Sequence, residues 1–127
     1  MINGLFEQPN YVAAKKLLEA TVARHEAIAS NLANIETPGY KRMDVAPSFV
    51  AELQRALAGK NTQQVASLTP HLAVDTTAIG HSSDGNTVQL EKELAELHKN
   101  SLAHSVETQM ITGTMLRLRL AITGRPG

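Results

Sequence analysis

Cysteine is absent from this 127-residue chain, which leaves it neither a disulfide framework nor thiolate chemistry. Tryptophan is missing as well, and there are only two phenylalanines and two tyrosines. Aromatic side chains bring the largest burial areas, so the 43% apolar content, much of it alanine, predicts a thin core. An isolated monomer is expected to be weakly stable and to gain order by packing against neighbours. No sign of charge prevails: 12 basic and 12 acidic residues cancel. That balance offers no footprint for nucleic acid and no polybasic patch for a membrane surface. No apolar run approaches the roughly 20 residues that cross a bilayer, so direct membrane insertion is not expected. The start Met1-Ile2-Asn3-Gly4 lacks a basic stretch followed by an apolar core, and export, if it occurs, is expected without a cleaved signal.

What is present is helical spacing at both ends. Leu5 and Phe6 open a short apolar patch, and Asn10 after Pro9 is placed to cap a helix from about Tyr11 to Ile35. Along it Tyr11, Ala14, Leu18, Thr21, His25, Ile28, Leu32 and Ile35 alternate steps of three and four, the spacing of a coiled-coil seam. Pro38 then disfavours helix at Thr37, and Gly39 tolerates a positive φ. Thr37-Pro38-Gly39-Tyr40 therefore predicts a type II turn that ends the helix.

Pro47 suits the first turn of a short helix in which Phe49, Leu53 and Leu57 share a face, ended by Gly59. From Lys60 to Ser83 polar residues predict a mostly irregular, flexible arm, with a possible short extended segment at His71-Leu72-Ala73-Val74. Asn86 followed by Gln89 resembles a capping pair for the last helix. In that helix Leu90, Leu94, Leu97, Ser101, His104, Thr108, Ile111, Met115, Leu118 and Ile122 keep the three-four rhythm. Gly124 and Pro126 supply the stop. The expected fold is mainly all-α, with long terminal helices packed antiparallel as a coiled-coil hairpin. Its parts are residues 1–42, an irregular middle with one short helix over 43–85, and 86–127.

Aligning the two seams layer by layer sets His25 against His104, Thr21 against Thr108 and Ile28 against Ser101. Leu18 with Ile111 and Leu32 with Leu97 flank them. This polar block is expected to fix the register. A secondary stripe, Leu102, Val106, Met110 and Leu120, has no partner in such a hairpin and is assigned to contacts between subunits.

The search for chemistry finds no catalytic, cofactor or metal site. His25-Glu26 begins like a zinc-protease helix, but position 29 is alanine where the second histidine belongs. Ser82-Ser83-Asp84-Gly85 holds no nucleophile elbow. The lysines and arginines look like ordinary solvated charges.

Two stretches carry a family resemblance. Ser30-Asn31-Leu32-Ala33-Asn34-Ile35-Glu36-Thr37-Pro38-Gly39-Tyr40-Lys41-Arg42 closely resembles the signature of bacterial flagellar axial proteins of rod and hook. Asp84-Gly85-Asn86-Thr87-Val88-Gln89-Leu90-Glu91-Lys92-Glu93, followed by Asn100-Ser101-Leu102, is similar to the start of the C-terminal helix in the FlgB-like family of proximal rod proteins. Glu36 stands where that family often has Asp, and His104 where a Tyr is frequent. The resemblance implies a structural subunit of the proximal rod, located in the periplasmic part of the flagellar basal body. It also implies export through the flagellar type III apparatus as a largely unfolded chain. Partners would be copies of the chain and other rod proteins, with adaptor and export-gate proteins at the base. The motif residues carried over are Asn31, Asn34, Thr37, Pro38, Gly39, Tyr40 and Lys41. The alternative from the residues themselves is a helical-hairpin adaptor or chaperone that binds an amphipathic partner helix; an enzyme comes third.

Overall fold

A computed structural model describes residues 9–124. The first helix, α1, spans Pro9–Ala33, and strand β1 follows the turn at Met43–Val45. Helices α2 (Pro47–Ala58) and α3 (Thr62–Ser67) lead to strand β2 (Leu72–Val74), and the chain closes with α4 (Leu90–Thr123). At about 1.5 Å per residue α4 is roughly 50 Å long. Asn10 falls inside α1 rather than ahead of it, while the Leu5-Phe6 patch and Pro126 lie outside the described residues.

The local signals act as their chemistry predicts. Gly39 has φ +75° and Tyr40 N–H donates to Thr37 C=O at 3.2 Å, which makes the type II turn. Pro47 opens α2, which buries Phe49 and Leu53, and Gly59 caps it. Asn61 accepts from Gln64 N–H at 3.0 Å and so caps α3, a short helix absent from the sequence expectation. At the far end Gly124, φ +67°, closes α4 by donating to Leu120 C=O.

Two expectations change at the tertiary level. The middle third is not one short helix in irregular chain: it holds two helices and an antiparallel ribbon in which Met43 faces Val74 and Val45 faces Leu72. It also supplies the hydrophobic core. Val45, Phe49, Leu53, Ala56 and Val65 pack on Ala20 of α1, with Val12, Ala23, Leu57, Leu68 and Leu72 around them. The alanines of α1 make this possible, because small side chains let the middle layer approach the helix closely.

The second change is the helix–helix seam. Helices α1 and α4 do pack antiparallel, but the residues of α4 turned to α1 are Glu93, Asn100 and Glu107, one heptad apart, with Leu118 further along. On α1, Thr21 and Asn31 hydrogen-bond to this row, and Ala14 and Ile28 are buried as well. His25 and His104 are both exposed, so the expected histidine layer is absent. Thr21 instead hydrogen-bonds Glu107 at 3.1 Å, and Asn100 Nδ2 donates to Thr21 C=O at 2.8 Å. Among the seam candidates Ile28 and Leu118 are buried, and Leu18, Leu32, Leu97 and Ile111 are half-buried. Leu94 and Met115 stay exposed. Apolar residues lie on several sides of α4, so period alone selects more than one stripe.

A close approach elsewhere gives a direct test of the packing. A Cβ added to Gly80 would lie 2.1 Å from the Asn86 carbonyl oxygen, a backbone atom that no side-chain rotation can move aside. Gly80→Ala is expected to cost about 1–3 kcal/mol through forced displacement of the 86–87 segment. Thermal unfolding followed by circular dichroism checks it, and an unchanged midpoint would mean the 80–86 approach is looser than described.

Candidate functional site

Residues 30–42 and 84–93 come from opposite ends of the chain, yet they build one polar junction. Gly39 N–H donates to Asp84 C=O at 2.9 Å, Thr87 N–H to Tyr40 C=O at 3.0 Å, and Arg42 N–H to Thr87 Oγ1 at 2.8 Å. Lys41 Nζ reaches Gly85 C=O at 2.8 Å. Gly85, φ +83°, lets the second strand of chain turn beside Gly39, where an added Cβ would sit 3.7 Å from the Gly39 Cα.

Asn86 is the pin of this junction, not the cap of α4. Its Nδ2 lies 2.9, 3.1 and 2.8 Å from the carbonyl oxygens of Asn34, Ile35 and Thr37, and its Oδ1 accepts from Val88 N–H. A helix end leaves carbonyls without intrahelical partners; here a side chain from the other end of the chain receives those of the segment after α1. The residue before α4 is Gln89, which makes no side-chain cap.

Asn31, fully buried in α1, acts as a piece of β-strand. Its Oδ1 accepts from Met43 N–H at 2.8 Å and its Nδ2 donates to Met43 C=O at 2.8 Å, so a side-chain amide pairs with the β1 backbone. The same amide donates to Glu93 Oε1 at 2.9 Å and accepts from Tyr40 Oη at 3.3 Å. Only a carboxamide offers two donors and an acceptor in this plane, which is the physical reason for asparagine here. Asn34 Nδ2 bonds Ser30 C=O, Thr37 Oγ1 bonds Asn34 Oδ1, and Tyr40 Oη bonds Ser30 Oγ. All seven motif residues thus fall within the junction, with Pro38 and Gly39 at its exposed tip.

Beneath the junction lies a charge network that reading the arginines as solvated did not anticipate. Arg42 is only 8% exposed and Glu93 not at all. Arg42 Nε and Nη2 donate to Glu93 Oε2 and Oε1 at 2.9 and 3.3 Å, a two-point grip, while Nη1 bridges Asp44 and Asp75 at 3.1 and 2.9 Å. Arg24 holds the other oxygen of Asp44 at 2.9 Å. Burial alone would lower the Arg42 pKa, but its hydrogen bonds to Glu93 and Asp44 raise it above the ordinary guanidinium value. Burial likewise pushes Asp44 up, yet Arg24, the Val45 N–H and Arg42 together hold it below the usual carboxylate range. Asp75 is lowered chiefly by the Thr77 hydroxyl, with further help from the Thr77 N–H and Arg42. Three elements, β1, the loop after β2 and α4, therefore meet on one guanidinium, and α1 joins them through Arg24 on Asp44. Arg42 was part of the recognised string, and its position two residues past the turn was the available signal. Asp44 and Asp75 had none.

Glu107 behaves in the opposite way. Burial raises its pKa, and the Thr21 hydrogen bond, His104 and Arg24 offset this only in part. Its folded pKa lies above the unfolded value of 4.5, so the seam is most stable below that value and loses stability as pH rises through the folded pKa. Asp44 and Asp75, both lowered, contribute stability above 3.8 that is lost as pH falls towards their folded values. Glu107→Gln is expected to raise stability at neutral pH, and with it the melting temperature, by a margin that solvent screening holds below about 1 kcal/mol. The gain should vanish below 4.5. Melting curves of both proteins across pH check the sign.

A cleft of about 590 Å³ runs between α4 and the middle layer, lined by Arg24, Asp44, Asp75, Lys92, Lys99 and Asn100, among others. No group of three or more histidine, cysteine or acidic residues able to hold a metal occurs among the described residues. No described helix is long and apolar enough to cross a membrane. Outward along α4, Leu102, Val106, Met110 and Leu120 are exposed by 70, 56, 49 and 43%.

A long antiparallel helix pair, locked at one end by a polar junction and apolar along its outer face, has the build of a structural subunit. The comparisons agree. Residues 18–41, the second half of α1 with its turn, match the family described as flagella basal body rod protein. The flagellar basal body rod protein FlgB of Aquifex aeolicus is 31% identical over 87% of this chain and 90% of its own length. Its counterpart in Cereibacter sphaeroides is 32% identical over 97 and 99%, and that of Escherichia coli 28% over 78 and 82%. The chain belongs to the FlgB family of flagellar basal body rod proteins. It is a structural subunit of the rod.

Proposed function

We propose that this subunit enters the proximal rod by packing its terminal helices against neighbouring rod proteins, with Leu102, Val106, Met110 and Leu120 among the contacts. The observation that carries this reading is the apolar stripe on α4 in a family of rod subunits. Four large apolar side chains in one stripe are costly to leave in water, and covering them supplies the drive for association. The locked junction serves as a rigid end from which both helices project in fixed register. Partners on this reading are copies of the chain, other rod proteins, and the adaptor and export-gate proteins at the base. The route is the flagellar type III apparatus without a cleaved signal, leading to the periplasmic part of the rod.

Deleting the gene should leave cells without filaments, and the wild-type protein should be recovered in purified basal bodies. Restoring it as Leu102→Glu with Val106→Glu should leave the purified monomer's helical content unchanged while abolishing swimming. Motile cells carrying that double variant would show that the stripe is not a contact.

A further inference from the structure

Two charged ladders on the surface match in spacing and are opposite in sign. On α1, Glu19 and Glu26 are seven residues apart, about 10 Å along the helix, with exposed Val22 between them. On α4, Lys92 and Lys99 have the same separation, with exposed Ala95 between them. Glu26 and Lys92 form no ion pair within the chain among the described residues. Glu19 pairs with Lys16 at 3.1 Å and Lys99 with Glu96 at 3.9 Å, and surface pairs of this kind are weak and readily exchanged. The ladders cannot meet inside one molecule. Lys92 and Lys99 border the cleft shared with Asp44 and Asp75, whereas the Glu19, Val22 and Glu26 face is turned from both α4 and the middle layer.

We propose that the lysine ladder on α4 of one copy docks on the glutamate ladder on α1 of the next. This rests on the rod reading above and names which faces meet. Copies set side by side in the same orientation keep α1 of one antiparallel to α4 of its neighbour. That places Lys92 opposite Glu26, Lys99 opposite Glu19, and the Val22 side chain over the small Ala95. Pairing either ladder with a copy of itself sets like charges against each other, which disfavours a two-fold dimer through either ladder alone. Two different faces used head to tail leave each end open for the next copy, as a helical assembly requires. On α4 the Leu102 and Val106 stripe begins three residues beyond Lys99, so the docked edge continues into apolar contact.

Charge reversal in a deletion strain tests the proposal. Lys92→Glu with Lys99→Glu, and separately Glu19→Lys with Glu26→Lys, should each reduce swimming at least tenfold. The variant with all four changes should recover most of it, because opposite signs again face each other between copies. Full motility of either parent, or a four-change variant as impaired as its parents, overturns the pairing; the latter would mean a different rod protein covers these faces. Because the chain has no cysteine, Glu19→Cys with Lys99→Cys provides a second readout. Oxidation in basal bodies should yield multimers of this chain, and their absence overturns the proposal even where a charge variant fails to fold. If deletion itself leaves rods intact, the rod reading fails. If deletion removes rods while the four-change variant is not rescued, only the pairing fails.

Discussion

Replacing Glu93 with alanine is expected to cost about 3–5 kcal/mol, a large part of what a domain this size has to lose. The carboxylate is completely buried and accepts three hydrogen bonds at once, two from Arg42 and one from Asn31. Taking it away leaves a guanidinium that is itself 8% exposed facing only Asp44 and Asp75 on its other side, and leaves an amide hydrogen of Asn31 without an acceptor. The loss exceeds that of a surface ion pair because the desolvation of Arg42 has already been incurred and nothing returns it to water. Urea unfolding followed at the helical signal measures the effect. A loss under about 1 kcal/mol would mean that water enters the junction and screens the pair. Glu93→Gln, whose one carbonyl oxygen can keep the bonds to Asn31 and Arg42 Nη2 while its amide nitrogen replaces the acceptor of Arg42 Nε, should be intermediate.

Asn31→Leu is expected to cost about 3 kcal/mol even though leucine has the same branched outline and the same number of side-chain heavy atoms as asparagine. No cavity is created; the cost is polar. The Met43 N–H and C=O lose the amide that pairs with them, and each buried group left without a partner costs about 1–3 kcal/mol. Because Asn31 and Glu93 share a hydrogen bond, their effects should not add. The double variant should be less destabilised than the sum of the singles, and additive energies in that cycle would show that the two residues act independently. Asn31→Asp should be worse than leucine, since it sets a second carboxylate against Glu93.

Both predictions concern side chains whose importance had unequal visibility in the sequence. Asn31 sits in a recognisable string, so its significance was legible although its task was not. Glu93 stands in the first turn of α4, where an acid complements the helix dipole from solvent, and nothing in its spacing marks it as completely buried. Asn86 looked like a cap for the helix beginning just after it, and it turned out to serve the carbonyls following α1 instead. In each case the residue type was informative about hydrogen-bonding capacity and uninformative about the partner. The same limit explains the seam. Steps of three and four on α4 select several stripes because Leu, Met and Ile occur on more than one side. The polar heptad Glu93, Asn100 and Glu107 lies on the side that meets α1.

The amino-acid order by itself determined what depends on near neighbours: the long terminal helices, the turn at Pro38 and Gly39, the start of α2 at Pro47, and the stop at Gly124. Backbone sterics and local hydrogen bonds decide such features within a few residues, and they hold wherever the segment ends up. Only the tertiary structure decided that residues 39–42 lie against 84–87, that one guanidinium gathers three carboxylates, and that the middle third rather than the helix seam carries the apolar core. Those outcomes depend on which of several acceptable surfaces of a helix buries the most while leaving no polar group unpaired. That choice is made jointly by segments more than forty residues apart, and no local spacing encodes it.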